Sequence, residues 1–382
     1  MQAGRRVARV LVNSNVSPLF LRHISTSSSG SLGGNVFGVK AMYRMNTIPE
    51  SSIYKPMQQR VFYSSEERQD DSSVSEAVKE MYDKMQESIV EKRTAPPNAW
   101  LWSMISSCAN VDDIKLLFDI LQKFRVFRLS NLRIHENFNS ALCQEITKAC
   151  INVGAIDYAK KGLWKHNVYG LNPTIGSAHQ LLLHAQKLKD AKLASDVMKL
   201  VKKNDLPLQP GTSDIVFSIW YDAENWNLIS KYGKRFIKAG VKLRQNAFDI
   251  WMRFAAKRGD VDSLWKIEKF RSEMMKQHTL ASGFSCAKGF LLERKPENAA
   301  AVIQLVNQGL SDTKRPAVML ELQQLISEWP LELLKHQKEG NKKALVPALQ
   351  EDTAAMIEHL SRMGIKVNVK MEDFTKNEGV FS

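Results

Sequence analysis

A spacing of 35 residues constrains this chain more than any other feature. The stretch Gly259-Asp-Val-Asp-Ser-Leu264 closes one amphipathic run, Phe248 to Arg258, and opens the next, Asp262 to Met275. With Val261 as reference, equivalent openings stand at Ile156, Ala191, Trp226, Pro296 and, less regularly, Leu331 after Trp329-Pro330, each step from 156 to 331 being 35 residues. Two further openings, Val111 and Val74, lie upstream at looser spacing, with the extra length before Ile156 assigned to Phe124 to Arg133. A unit this short cannot bury its own apolar face, so repeated units must bury one another's.

Each half of a unit reads as a helix. Phe248, Trp251, Met252 and Ala255 follow the i, i+3, i+4, i+7 stripe, and Leu264, Ile267 and Phe270 continue it in the second half. Asp112, Asp157 and Asp262 stand in opening turns, where an acid suits unpaired N–H groups. Gly154, Gly170, Gly240 and Gly259 stand at helix ends, where a left-handed residue is cheapest as glycine. The expected fold is all-α, an α-solenoid of stacked helix-turn-helix repeats over residues 74–343. Lys338 to Lys343 reads as a polar linker, Val346 to Met363 as a helix capping the stack, and Gly364 to Ser382 as a tail, so that 344–382 forms the cap and C-terminal segment.

At 44% hydrophobic and 25% charged residues the chain builds a core, and four Cys in 382 residues exclude a disulfide-stapled secreted scaffold. No run reaches the roughly 18 apolar residues of a spanning helix, so no membrane insertion is expected. Residues 1–63 hold eight Lys/Arg against one acid, Glu50. Arg5, Arg6, Arg9, Arg22 and Arg44 are spread among apolar residues and the serines between Ser25 and Ser31, the composition of a transit peptide. The apolar block Val10 to Leu21 is broken by Asn13, Ser14, Asn15 and Pro18, which excludes a secretory signal. Arg60-Val-Phe-Tyr-Ser-Ser65 resembles a plant mitochondrial processing site, with Arg22-His-Ile-Ser-Thr26 as a weaker rival, and a basic N-terminal arm is the alternative. A mitochondrial matrix protein is expected, its mature chain opening on an acidic linker at 64–73.

The residues offer no catalytic constellation. Cys108, Cys143, Cys150 and Cys286 form no Cys-x-x-Cys pair, and His179 and His184 miss the i, i+4 register of a helical metal pair. No phosphate-cradling Gly-x-x-x-x-Gly-Lys loop occurs, and Asp112-Asp113 reads as helix-opening acids. Neither enzyme activity, a metal, a cofactor nor a small-molecule substrate is expected.

A 35-residue helical pair with endings such as Tyr169-Gly-Leu-Asn-Pro173, Ala239-Gly-Val-Lys-Leu243 and Met363-Gly-Ile-Lys-Val-Asn368 resembles the pentatricopeptide repeat family. That resemblance implies an organelle-targeted binder of single-stranded RNA, reading one base per repeat through side chains of the first helix and the unit's end. Carried over position by position, it places base-reading pairs at Glu145 with Ile175, Gln180 with Pro210, Ile215 with Gln245, Ile250 with Leu280, and Ser285 with Arg315. None matches the family's code, which sets Thr, Ser or Asn on the helix with Asp, Asn or Ser at the unit's end. Ile215 and Ile250 offer a base edge no hydrogen bond.

The charge lies elsewhere. Residues 155–276 carry 22 Lys/Arg against 12 Asp/Glu, while the segments on either side are neutral or acidic. Phosphate-contact candidates are Lys199, Lys202, Lys203, Lys231, Lys234, Arg235, Lys238, Lys242, Arg244, Lys266, Lys269 and Arg271, mostly on second helices. In the family the first helices line the concave groove, so these cations fall on the outer flank, suited to phosphates of structured RNA. A solvated face paired with Asp196 and Glu268 is the alternative. Aromatics among the cations, Trp220, Tyr221, Trp226, Tyr232, Phe236, Trp251 and Trp265, read as inter-repeat core ahead of base-stacking platforms. The functional expectation is a mitochondrial RNA- and protein-binding scaffold, most specifically a ribosome-associated subunit with ribosomal RNA and proteins as partners. A transcript-specific single-stranded RNA factor and a protein-only adaptor are the alternatives.

Overall fold

In the computed structural model the described residues, 74–131, 137–275 and 277–365, are all-helical, with no strand among them. The expected leader at 1–63, the acidic linker, the tail beyond 365, Arg133 and Lys276 lie outside the described residues. An N-terminal group comprises α1 (Glu76–Val90), α2 (Asn98–Ser107) and α3 (Val111–Ser130). Five hairpins follow: α4 (Ser140–Val153) with α5 (Ile156–Gly162), α6 (Ile175–Lys187) with α7 (Ala191–Lys203), α8 (Pro210–Asp222) with α9 (Trp226–Lys238), α10 (Gln245–Arg258) with α11 (Val261–Met274), and α12 (Leu280–Leu292) with α13 (Pro296–Gly309). The C-terminal group holds α14 (Arg315–Ser327), α15 (Trp329–Lys335) and α16 (Glu339–Arg362).

The second helices of the hairpins start at Ile156, Ala191, Trp226, Val261 and Pro296, the five positions the spacing picks out. First helices start at Ile175, Pro210, Gln245, Leu280 and Arg315, in the same period. The backbone repeats with them. Gly154, Lys189, Glu224, Gly259 and Arg294, the turn residues within the hairpins, all take positive φ, from 52° to 82°. Three of the five carry a side chain in a conformation that costs about 1 kcal/mol or more without glycine, so the packing of the hairpin dictates the turn. The residue after each turn then serves as cap where its chemistry allows: Asp190 accepts from the Lys192 and Leu193 amides, Asn225 from Leu228 and Asp260 from Ser263.

The expected stripe is buried: Phe248, Trp251, Met252 and Ala255 are at most 1% exposed, and Leu264 and Ile267 join them. Phe217 meets Phe236 within its hairpin and Trp251 of the next, and Gly233 is needed there, because a Cβ would come within 2.6 Å of the Trp251 ring. Each first helix packs on the next, α4 on α6, α6 on α8, α8 on α10 and α10 on α12, while successive second helices approach one another much less. The second-helix side is therefore splayed, and hollows open between its helices.

At the N-terminal end, α3 takes up the expected extra length as a helix continuing to Ser130 and packs on α1. Asp113 joins them: its buried carboxylate accepts from the Ser75 amide and hydroxyl and from the amides of Ala109 and Asn110. Burial pushes this carboxyl up, but the four hydrogen bonds outweigh it and hold the pKa below the usual range.

The C-terminal end departs from the period. α15 starts two residues before the expected Leu331 and docks on α10, two hairpins back: Trp329, 1% exposed, donates its indole N–H to the Ala256 carbonyl at 3.0 Å, and Gln337 donates to the Arg258 carbonyl. Gly259 suits this turn on two counts, its φ of 71° and a Cβ position 2.7 Å from the Leu333 side chain, which would have to shift for any other residue. The neighbour of α13 is instead α16. Lys338 to Lys343 is accordingly not a linker, since α16 begins at Glu339 and runs through Pro347 to Arg362. One glycine near a helix start costs about 1 kcal/mol, and the apolar face that α16 buries on α12 and α13 offsets it.

Candidate nucleic-acid interface

The splayed second helices bring five of the twelve candidate cations together. Lys199, Lys202 and Lys203 lie at i, i+3 and i+4 on α7, opposite the buried row Leu193, Val197 and Val201. Lys231 and Arg235 lie at i and i+4 on α9. With Tyr232 these five line a cleft of about 370 Å³ between the two helices, and no carboxylate lines it. Tyr232 is 6% exposed and packs on Trp220 at 4.8 Å between ring centroids, so it forms a rigid floor. Burial raises its hydroxyl pKa further above 10, keeping it neutral. Lys199 pairs with Asp196 at 2.8 Å, a hydrogen bond that raises the lysine pKa and lowers that of the acid. Four of the five cations therefore line the cleft without an ion pair among the described residues.

The remaining candidates do not converge. Lys234, Lys238, Lys242, Lys266 and Lys269 are exposed outside the cleft, and Arg244 pairs with Asp214 at 3.3 Å. Arg271 is a correction: it is 1% exposed and unavailable to phosphate. Its guanidinium donates to both Glu268 carboxylate oxygens, at 2.7 and 2.8 Å, to the Gln277 carbonyl at 3.0 Å and to Nε2 of His278 at 2.9 Å. Glu268, three residues earlier, is itself buried, so the arginine is drawn inward as its counter-ion. Glu268, His278 and Cys286 bring ligand-type atoms within 4.8 Å of one another, but the guanidinium already bonds the first two and supplies the cation that this pocket calls for. The Cys286 thiol lies in the same pocket, fully buried and pushed well above its ordinary pKa. Burial likewise lifts Cys108 and Cys150 to about 12, and all four cysteines are free.

The first-helix candidates fare differently from one another. Ser285 is a second correction, being 2% exposed with its hydroxyl donated to the Ala281 carbonyl of its own helix. Glu145 pairs with Lys148 at 3.5 Å, and Arg315 pairs with Asp312 at 2.7 Å. Gln245 is exposed at the start of α10, and Gln180 is half-buried with an unpartnered side-chain oxygen. The five expected unit-end residues, Ile175, Pro210, Gln245, Leu280 and Arg315, are the opening residues of α6, α8, α10, α12 and α14. One cation of the first-helix side escaped the sequence reading. Lys288 of α12 sits 5.8 Å from the Trp329 ring, and desolvation brings its pKa down to about 8 against the pull of Glu321, Glu332 and Glu328. A larger hollow, about 860 Å³ between the C-terminal ends of α1 and α3, lies away from all these groups.

The aromatics follow the core reading. Trp220, Phe236 and Trp251 are at most 1% exposed, and Tyr221, Trp226 and Trp265 pack partly buried against the same core. Two other tryptophans are exposed: Trp102, 39% exposed on α2, and Trp164, 47% exposed on the loop after α5, with the Lys203 ammonium 4.4 Å from its ring centroid. A search for aromatics at helical spacing passes over Trp164, since it stands in a loop; its position beside Lys165 was the available signal.

Among the described residues no helix is long and apolar enough to cross a membrane. No protein-family model and no curated protein matches the chain.

Proposed function

We propose that this chain is a non-catalytic pentatricopeptide-like α-solenoid that docks on structured RNA through the splayed side of its second helices. The observation that carries the reading is the cleft between α7 and α9, where five cations and no carboxylate line about 370 Å³. Such a cleft concentrates positive potential where a phosphate backbone fits, and it faces away from the first helices that would hold a single strand in the family's usual mode. Burial of Ser285, and the ion pairs of Glu145 and Arg315, add to the case against base-by-base reading in the groove. With the basic, acid-poor leader, the reading extends to mitochondrial gene expression, most specifically to a ribosome-associated subunit.

A salt series tests the RNA part. If about five phosphates are contacted, affinity of the full chain for a structured RNA falls by a few hundred-fold between 50 and 200 mM salt. A flat response would leave the cleft a solvated face. Sedimentation of the tagged chain from mitochondria tests the ribosomal part: co-migration with a ribosomal subunit supports it, and free monomer throughout contradicts it.

A further inference from the structure

We infer that the cleft between α7 and α9 is a two-part nucleotide site, in which the cations hold phosphates and Trp164 at the rim stacks an unpaired base of the same strand. The inference rests on the RNA reading of the cleft and adds to it a requirement for a base that is free of its duplex.

Trp164 is 47% exposed and Trp102 of α2 is 39% exposed, while Trp220, Trp251 and Trp329 are at most 1% exposed. What sets Trp164 apart is its place beside the cations of the cleft, with the Lys203 ammonium 4.4 Å from its ring. The Trp164 backbone is also fixed from both sides. Asn204, at the end of α7, donates to the Leu163 carbonyl at 2.6 Å and accepts from the Lys165 amide at 2.7 Å, bracketing the tryptophan. Asn167 donates to the Trp164 carbonyl at 2.7 Å and to that of Leu171 at 2.6 Å, while its own carbonyl accepts from the Arg125 guanidinium. Both asparagines are 8% exposed, so these clamps work out of water. The ring is thus carried on the end of the helix that supplies Lys199, Lys202 and Lys203.

Register follows from that attachment. Lys203 both lines the cleft and lies 4.4 Å from the Trp164 centroid, so a phosphate held by the lysines puts its own nucleotide within reach of the ring. Among the described residues no second aromatic ring stacks on Trp164, and the lysine is its one cation–π partner. A duplex hides its base faces in its own stack, whereas a bulge or loop base can leave it and stack on an aromatic side chain. A basic cleft alone accepts any phosphate backbone; a basic cleft with an exposed indole on a clamped backbone beside it prefers a backbone with a splayed base.

The test uses the full chain and three RNA hairpins of one sequence: fully paired, carrying a single bulged uridine, and carrying an abasic residue at the bulge. The expected result is about tenfold tighter binding of the uridine bulge than of the other two, in the range of one base stacked on an aromatic ring. Trp164→Ala and Trp164→Leu should erase that preference while binding the paired hairpin within about twofold of the parent, and Trp164→Phe should keep part of it. Equal binding of all three hairpins by the parent, or an unchanged preference in Trp164→Ala, would overturn the inference. Lys202→Glu with Lys231→Glu should weaken all three probes together. If that double variant binds every probe as the parent does, the RNA reading of the cleft fails as well.

Discussion

The two sides of the hairpins both pair charges locally, but only the second-helix side also gathers cations around a cleft among the described residues. On the first-helix side, ionisable groups are spent on one another or on the fold: Glu145 on Lys148, Arg315 on Asp312, Lys288 beneath Trp329. On the second-helix side, α7 and α9 stand apart and present five cations to a shared hollow. The difference lies in spacing: the first helices pack on one another, while the wider gap between α7 and α9 leaves four cations facing a shared cleft without an ion pair among the described residues.

The comparison sharpens first at Arg271, a second-helix cation that is buried in its ion pair rather than exposed. Arg271→Ala leaves Glu268 buried without its partner, so thermal or denaturant unfolding should show a loss of about 3–5 kcal/mol. Lys266→Ala, on the same helix but exposed, should change stability by less than about 0.5 kcal/mol. Equal effects would mean that burial does not separate the two classes of cation.

Next in size is Lys288. Its folded pKa of about 8 lies below that of an unfolded lysine, so the unfolded chain binds the extra proton and its burial costs stability below pH 8. Stability should rise as pH climbs from 8 toward 10.5, and Lys288→Met should remove that rise and stabilise the fold near neutrality by on the order of 1–3 kcal/mol. Asp113 has the opposite sign. Its lowered carboxyl pKa contributes stability at neutral pH that is lost as pH falls through the depressed folded value. Asp113→Asn should flatten the acid limb of a stability–pH curve and cost about 1–3 kcal/mol at pH 7.

Smaller effects separate the hairpin turns. Gly154→Ala should cost about 1 kcal/mol from φ alone, since nothing lies within 4 Å of its Cβ position. Gly259→Ala should cost more, because Leu333 and Gln337 of the docked α15 segment must also move. Lys189→Gly should be neutral or stabilising by a few tenths of a kcal/mol to about 1 kcal/mol, since its φ of 54° suits glycine better.

Much of this architecture is legible in the residues. The period places the starts of α5, α7, α9, α11 and α13, because each hairpin repeats the same burial problem against the same kind of neighbour. It fails at α15, where the next neighbour is no longer a hairpin: α16 takes that place on α13, and Trp329 finds its partner on α10 instead. The caps Asp190, Asn225 and Asp260 share the 35-residue spacing too, but the acids that draw the eye in the sequence are Asp157 and Asp262, further in, within the first helical turn. Of the site, the i, i+3, i+4 lysines of α7 and the i, i+4 pair of α9 mark one face of each helix, but their meeting depends on how far apart the second helices stand. Arg271 follows the same charge pattern and misleads, because its burial is set by Glu268, Gln277 and His278 together. Trp164 lies outside every helical stripe, and only the Asn204 and Asn167 clamps show that it is held in place.

The central claim is that RNA is gripped from the second-helix side. Its most direct test is the affinity of the full chain for a structured RNA in two variants, Lys202→Glu/Lys231→Glu/Arg235→Glu in the cleft and Gln180→Ala/Gln245→Ala on the first helices. The cleft variant should lose about a hundredfold or more at 50 mM salt and flatten the salt dependence, with the first-helix variant unchanged. Loss of binding in the first-helix variant, with the cleft variant intact, would contradict the account.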